Sequence, residues 1–348
     1  MTTDARDETA KEPAPLDLAW MDERDRWGFR ASPGKRGLTL DEINTGRYGD
    51  IAKQASDDTA RPRGAAERTG VPRTGYRIRD MADVWSQNAT MLYEEAVQRQ
   101  WSSATDIPWR DLQPLPDKIE AAMCQLCTFL TEVEFIAGDT PSQWLPKISN
   151  EHYETKLFLS TQIMDEARHL DVFRKRALAN GGGLLKSSPT TNLRTIINAK
   201  DFTEMSSIMH VQAEGFVQSM FRMGELVANN DVEKRIFRLC AQDESRHLGF
   251  GVMHLKYVLE TQPERREEIH SYFDEAERTE EHHGTFDQAV AEALIILLGN
   301  GDMDEGADKF LALQKRQANE YMHRLTVAGL GDRRARMDPN LRRLLDAA

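Results

Sequence analysis

Asp165-Glu166-Ala167-Arg168-His169 (DEARH) and Asp243-Glu244-Ser245-Arg246-His247 (DESRH) are one phrase written twice. Each lies inside a long helical pattern, and each has a glutamate on the helix before it. Glu134 lies 32 residues before Glu166, and Glu214 lies 30 before Glu244. On a helix, positions i and i+3 are neighbours on one face, so a carboxylate and an imidazole three apart can grip one metal ion. Two such pairs, each with a further Glu, make six candidate ligands for two metal ions inside a four-helix bundle. Oxygen and imidazole donors with open positions suit iron or manganese better than a closed structural zinc site.

The spacing alone is weak, because Glu267/His270, Glu280/His283 and Glu320/His323 share it. Their surroundings (ERREEIH, RTEEHHG, RQANEYMH) are charged, and all three are expected to be solvated helix faces. The two motifs differ by combination: Asp before Glu, Arg before His, an apolar-periodic setting and an upstream Glu.

The chain has 348 residues, 40% of them hydrophobic, and a net charge of −12. That length allows one large domain or two small ones, and the hydrophobic share supports a sizeable core. The acidic balance argues against a nucleic-acid surface. No uninterrupted apolar run approaches the ~20 residues that span a bilayer, so no membrane partner is expected. The polar start MTTDARDETAKEPAP lacks the apolar core of a signal peptide. Three cysteines are too few for a disulfide framework, and a cytoplasmic location is expected.

Along the chain, residues 1–76 read as an irregular extension, disordered over the first fifteen. Trp20, Trp27, Phe29 and Tyr48 suggest that its later part lies over the rest of the protein. Helical periodicity begins at Ile78 and runs to Trp101. The next helix covers about 117–138, with Ile119, Met123, Leu126, Leu130 and Ala137 on its apolar face. Glu134 falls on that face, and Glu132 lies about 200° away as the fallback. Cys124 and Cys127 read as buried small hydrophobes. Helices over about 149–180, 198–229 and 231–260 follow. His210, one turn before Glu214, is expected to be a hydrogen-bonded core histidine, with an extra ligand or channel residue as the other readings. Three more helices are expected at about 264–282, 286–299 and 303–328; the first is highly charged and expected to be exposed. The tail 331–348 is basic and amphipathic and expected to be a solvated end. The pairs 117–180 and 198–260 look like a duplicated helical hairpin. The fold class is all-α, with a helical metal-binding domain over 77–330.

The stretch FLTEVEF around Glu134, the two motifs, and AEGF around Glu214 resemble the ferritin-like di-iron carboxylate superfamily over about residues 80–260. The likeness is greatest to its oxygen-activating branch: bacterial multicomponent monooxygenase hydroxylases, the ribonucleotide reductase small subunit and its ligand-binding oxidase relatives. The resemblance implies a ferritin-like four-helix bundle with an N-terminal extension and extra C-terminal helices. It implies that Glu134, Glu166 and His169 hold one iron and that Glu214, Glu244 and His247 hold the other. Asp165 and Asp243 match the aspartates that orient the opposite histidines, and Arg168 and Arg246 would charge-pair with them. Some expected positions differ. Phe173 stands where radical-storing subunits carry Tyr, and Met209 where the oxidase relatives carry a crosslinked Tyr. Gln218 replaces a monooxygenase Thr, and Cys240 replaces an extra His.

The resemblance implies an O2-dependent oxidase or oxygenase with two Fe ions, or Mn and Fe, at its centre. Its partners would be a small organic substrate and a ferredoxin or reductase as electron donor; the apolar extra helices make a homodimer plausible. The reaction would be hydroxylation, N-oxygenation or desaturation. The alternatives are a ferritin-like ferroxidase and a reductase small-subunit-like protein without the usual tyrosyl radical.

Overall fold

A computed structural model describes residues 15–22, 30–188, 191–283 and 287–346. The expected disorder of the first residues, with Trp27 and Phe29, lies outside them. Among the described residues the regular structure is helical, with no strand and only isolated bridges such as Ile78 with Ile148. Twelve α-helices follow in order: α1 Leu40–Ile43, α2 Ala89–Gln98, α3 Asp117–Ser142, α4 Tyr153–Ala179, α5 Thr191–Ile197 and α6 Phe202–Ser206; then α7 Glu214–Val227, α8 Asp231–Thr261, α9 Arg266–His283, α10 Gln288–Leu298, α11 Met303–Ala328 and α12 Pro339–Asp346.

Four long elements form the bundle. α3 packs on α4, α7 on α8, and α4 crosses to α8. Their apolar stripes build two cores. One gathers Phe158, Val211, Phe250 and Tyr321. The other gathers Leu130, Phe173, Phe221 and Phe237. By length and composition α3 could cross a membrane; it serves here as a bundle helix against α4.

The helix expected over 78–101 is shorter. Residues before Asn88 form a 3-10 turn and irregular chain, because their amides bond elsewhere: Ile78 N–H donates to Lys147 O (2.9 Å) and Met81 N–H to Lys53 O (2.8 Å). The helix expected over 198–229 is divided. After α6 comes a π-helix, Ser207–Ala213, which runs into α7. Such wide turns inside helices cluster at functional sites.

Residues 30–80 lie over the N-terminal end of α4. Asn44 Nδ2 donates to Glu154 Oε1 (2.9 Å), Arg63 pairs with the same carboxylate, and His152 Nε2 donates to Ala52 O (2.8 Å).

The expectations for the C-terminal third need two corrections. α9 is charged but not fully exposed, since Ile269, His270, Phe273 and Glu277 are buried. The tail is not a solvated end. Arg333 is fully buried and pairs with Glu277 (2.8 Å) and Asp274 (2.5 Å), while Leu341 and Leu345 enter a core. Net charge hid this, because the charges on α9 and the tail cancel against each other inside the protein.

Candidate metal centre

The periodicity that placed Glu134, Glu166, His169, Glu214, Glu244 and His247 on inward faces brings all six to one buried point between the two cores. Donor atoms of Glu134, Glu166, His169 and Glu244 lie within 4.8 Å of one another, as do those of Glu166, Glu214, Glu244 and His247. Glu166 and Glu244 belong to both groups. Glu166 Oε2 lies 3.3 Å from His169 Nδ1, and its Oε1 lies 3.0 Å from His247 Nδ1. Glu244 does the same, at 3.3 and 3.5 Å. Glu134 faces only His169 (3.8 Å), and Glu214 only His247 (3.9 Å). The expected division into one hairpin per ion is therefore modified. Each hairpin supplies one carboxylate to a shared middle. Glu132, the fallback, is elsewhere: it accepts from Ser188 N (3.0 Å).

The imidazoles are held from behind. His169 Nε2 donates to Asp243 Oδ2, and His247 Nε2 to Asp165 Oδ2, both at 3.2 Å. An ionised carboxylate only accepts, so each ring carries a proton on Nε2, which leaves Nδ1 facing the glutamates as the atom that could ligate a metal. Burial opposes ionisation of Asp243, but His169, Arg246 and Arg168 hold its carboxyl well below the usual range. Each arginine spans both aspartates. Arg168 pairs with Asp165 and reaches Asp243 (3.0 Å); Arg246 pairs with Asp243 and reaches Asp165 (2.9 Å). Both arginines are buried, so these are not surface salt bridges.

The donor set fits two divalent cations. Buried donor atoms of all six residues lack a hydrogen-bond partner: Glu134 Oε1, both Glu166 oxygens, His169 Nδ1, Glu214 Oε2, Glu244 Oε2 and His247 Nδ1. Buried polar atoms are otherwise almost always partnered. In the deprotonated state that metal binding requires, four carboxylates and two imidazoles would carry four negative charges, which two divalent ions would cancel. Without such charge, burial and Glu166 push Glu134 well above the usual carboxylate range, and burial with Glu244 does the same to Glu214 against the pull of His247. Donors about 2.1 Å from a six-coordinate ion lie about 3 Å apart along an edge, close to the shortest separations here.

Three neighbours were missed in the sequence, two of them without any local signal. Trp101 follows α2 and donates its indole N–H to Asp243 Oδ2 (2.7 Å) from 142 positions away. Gln100 accepts from Arg168. Gln162 donates to Glu214 Oε1 (3.0 Å); it lies four before Glu166, where helical spacing could have flagged it. His210 is the expected core histidine: it bonds to Ser206 Oγ (2.9 Å) and Gln162 Oε1 (3.1 Å). Gln218 donates to Ser245 Oγ (2.6 Å), tying α7 to the second motif. Of the discounted pairs, His270 is buried on Asp332 (3.2 Å) rather than solvated. Glu320 accepts from Ser219 and Arg316, and the side chains of Glu280 and His283 lie outside the described residues.

No family model matches the chain, and no curated protein sequence matches it. Solved structures do. An R2-like ligand-binding oxidase with an aerobically reconstituted Mn/Fe cofactor superposes with a TM-score of 0.53 and 18% identity, over 70% of this chain and 93% of that one. A mutant R2-like ligand-binding oxidase with an Fe/Fe cofactor gives 0.54 and 17%, over 70% and 94%. The fold is that of these oxidases, a ferritin-like helical bundle. Within this ferritin-like frame, Met209 lies buried in the π-helix and Phe173 in the core beside Phe221 (5.4 Å between centroids).

Proposed function

We propose that the protein is an O2-activating oxidase or oxygenase whose Glu134, Glu166, His169, Glu214, Glu244 and His247 hold two iron ions, or one manganese and one iron. The observation that carries this is the set of buried, unpartnered donor atoms that these six residues bring together. The ions, when bound, would supply redox electrons and open coordination positions for O2. The chain's own residues hold and shield them. Asp165 and Asp243 fix the imidazoles. Phe221 stands edge-on to His169 (6.5 Å), and Phe158 edge-on to His247 (6.4 Å). These rings exclude water from the centre.

The substrate would be a small organic molecule with an apolar body. An apolar cavity of about 40 Å³ lies among Ile119, Met123, Met220, Phe237, Leu294 and Leu298. Phe237 packs on Phe221 at 6.0 Å, so two rings separate the cavity from His169. A ferredoxin or reductase would return electrons between turnovers.

The test is a metal count on purified protein, then anaerobic reduction and O2 exposure followed by optical and Mössbauer spectroscopy. Two irons per chain with a discrete optical transient support an oxygen-activating enzyme. No coupled pair, or steady conversion of added iron to mineral, removes this reading and leaves iron handling.

A further inference from the structure

The two halves of the centre repeat each other in their ligands but differ in what surrounds Glu134 and Glu214. Four residues before each motif glutamate, the first half carries Gln162 and the second carries Cys240. Cys240 is fully buried and its thiol lies beside the His169 imidazole, not on a glutamate. Gln162, also fully buried, begins a polar chain that has no counterpart on the Glu134 side.

The direction of that chain follows from its donors. Gln162 Nε2 donates to Glu214 Oε1 (3.0 Å), which leaves Gln162 Oε1 facing His210 Nε2 (3.1 Å). A carbonyl oxygen only accepts, so His210 carries its proton on Nε2. Its Nδ1 then accepts from Ser206 Oγ (2.9 Å). Every link therefore donates toward Glu214. Burial, then the nearby His247 and His254, push His210 down to about 3, which keeps the ring neutral and the direction fixed.

The backbone is shaped for this contact. His210 lies in the π-helix Ser207–Ala213 and rests against α8 at Gly251, where any Cβ would collide with His210 Cβ. Phe250 closes the ring edge-on at 5.6 Å. The widened turn and the glycine together seat His210 on Gln162.

We propose that Gln162 and His210 are positioning residues that fix one oxygen of Glu214, making the cation position at Glu214 and His247 distinct from that at Glu134 and His169. This rests on the di-metal reading above and specifies it. Glu214 Oε1 accepts from Gln162 and also lies 3.9 Å from His247 Nδ1, so the tether fixes the oxygen that faces that imidazole, while Oε2 has no hydrogen-bond partner. Among the described hydrogen bonds no amide tethers Glu134.

Anaerobic Mn(II) titration of metal-stripped protein tests it, with calorimetry and the spectrum of free Mn(II) as readouts. Wild-type protein should bind two ions per chain in two steps. Gln162→Leu should weaken one step roughly 10- to 100-fold, the range for residues that orient a ligand, and leave the other within about twofold. In a Glu134→Ala background, which retains only the Glu214 position, the single remaining step should be the one that weakens. Because the links act in series, Gln162→Leu/His210→Phe should bind no more weakly than Gln162→Leu alone. Should Gln162→Leu fail to fold, Ser206→Ala at the far end of the chain should weaken the same step by a smaller factor. Equal loss at both steps, no loss at either, or additive losses in the double variant overturn the proposal. Wild-type protein that fails to bind two ions overturns the di-metal reading instead.

Discussion

Replacing Asp243 by Asn should destabilise the metal-free protein more than replacing Asp165 by Asn. The four side chains Asp165, Asp243, Arg168 and Arg246 carry two negative and two positive charges and are all buried. The quartet is neutral as it stands. Either Asn variant leaves one buried positive charge uncompensated, which costs about 3–5 kcal/mol. Asp243 also accepts the Trp101 indole N–H at 2.7 Å. Asp165 has no such extra donor among the described hydrogen bonds, so Asp243→Asn should cost about 1 kcal/mol more. Urea denaturation after treatment with a chelator, at neutral pH, reads both values without a contribution from metal. A companion Trp101→Phe substitution should remove the difference between the two Asn variants. A loss under about 1 kcal/mol in either, or a larger loss for Asp165→Asn, would refute the neutral-quartet argument.

Three further outcomes are expected. Glu166→Ala should lose both ions, because its two oxygens face both imidazoles; Glu134→Ala should keep one, as read by metal analysis after dialysis. His254 is buried against Thr203 and the Trp85 carbonyl, and burial first of all pushes it down to about 4 from 6.5. The unfolded chain therefore takes up a proton that the folded chain refuses as pH falls through 6.5 toward 4, and stability falls with it. Measured by urea denaturation, the stability of wild type relative to non-titrating His254→Gln should drop by about 2 kcal/mol between pH 7 and 5. Phe237→Ala should cost about 3–5 kcal/mol in the same assay and increase uptake of an apolar fluorescent dye, since the ring is one wall of the cavity.

What could be read in the sequence depended on how locally it was written. Glu166 with His169, and Glu244 with His247, declare themselves because three-residue spacing is a property of one helix. Glu134 could be chosen over Glu132 by its place on an apolar stripe. Trp101 could not, since its meeting with Asp243 depends on how a loop returns across α8. The π-helix was also hidden: Ser207–Ala213 has ordinary helical composition, and the partners of its His210, Gly251 and Gln162, lie on other helices. The tail misled for a different reason. Arg333 belongs to a basic run, but its partners Asp274 and Glu277 lie on another helix, so composition suggested solvent where the fold supplies counter-charge. The sharing of Glu166 and Glu244 required both hairpins to be seen together.

The aspartate of each motif holds the histidine of the other: Asp243 holds His169, and Asp165 holds His247. Neither hairpin is thus self-sufficient. A hairpin made alone would have an imidazole free to turn and an aspartate with nothing to hold, and could satisfy both only by meeting a second hairpin. Joining the two in one chain replaces that encounter, which depends on concentration, with an internal one that does not. The reciprocal grip makes the centre all-or-none: separated halves should show no residual fraction of its cation affinity until they are mixed, and the affinity should then return with the square of dilution working against it.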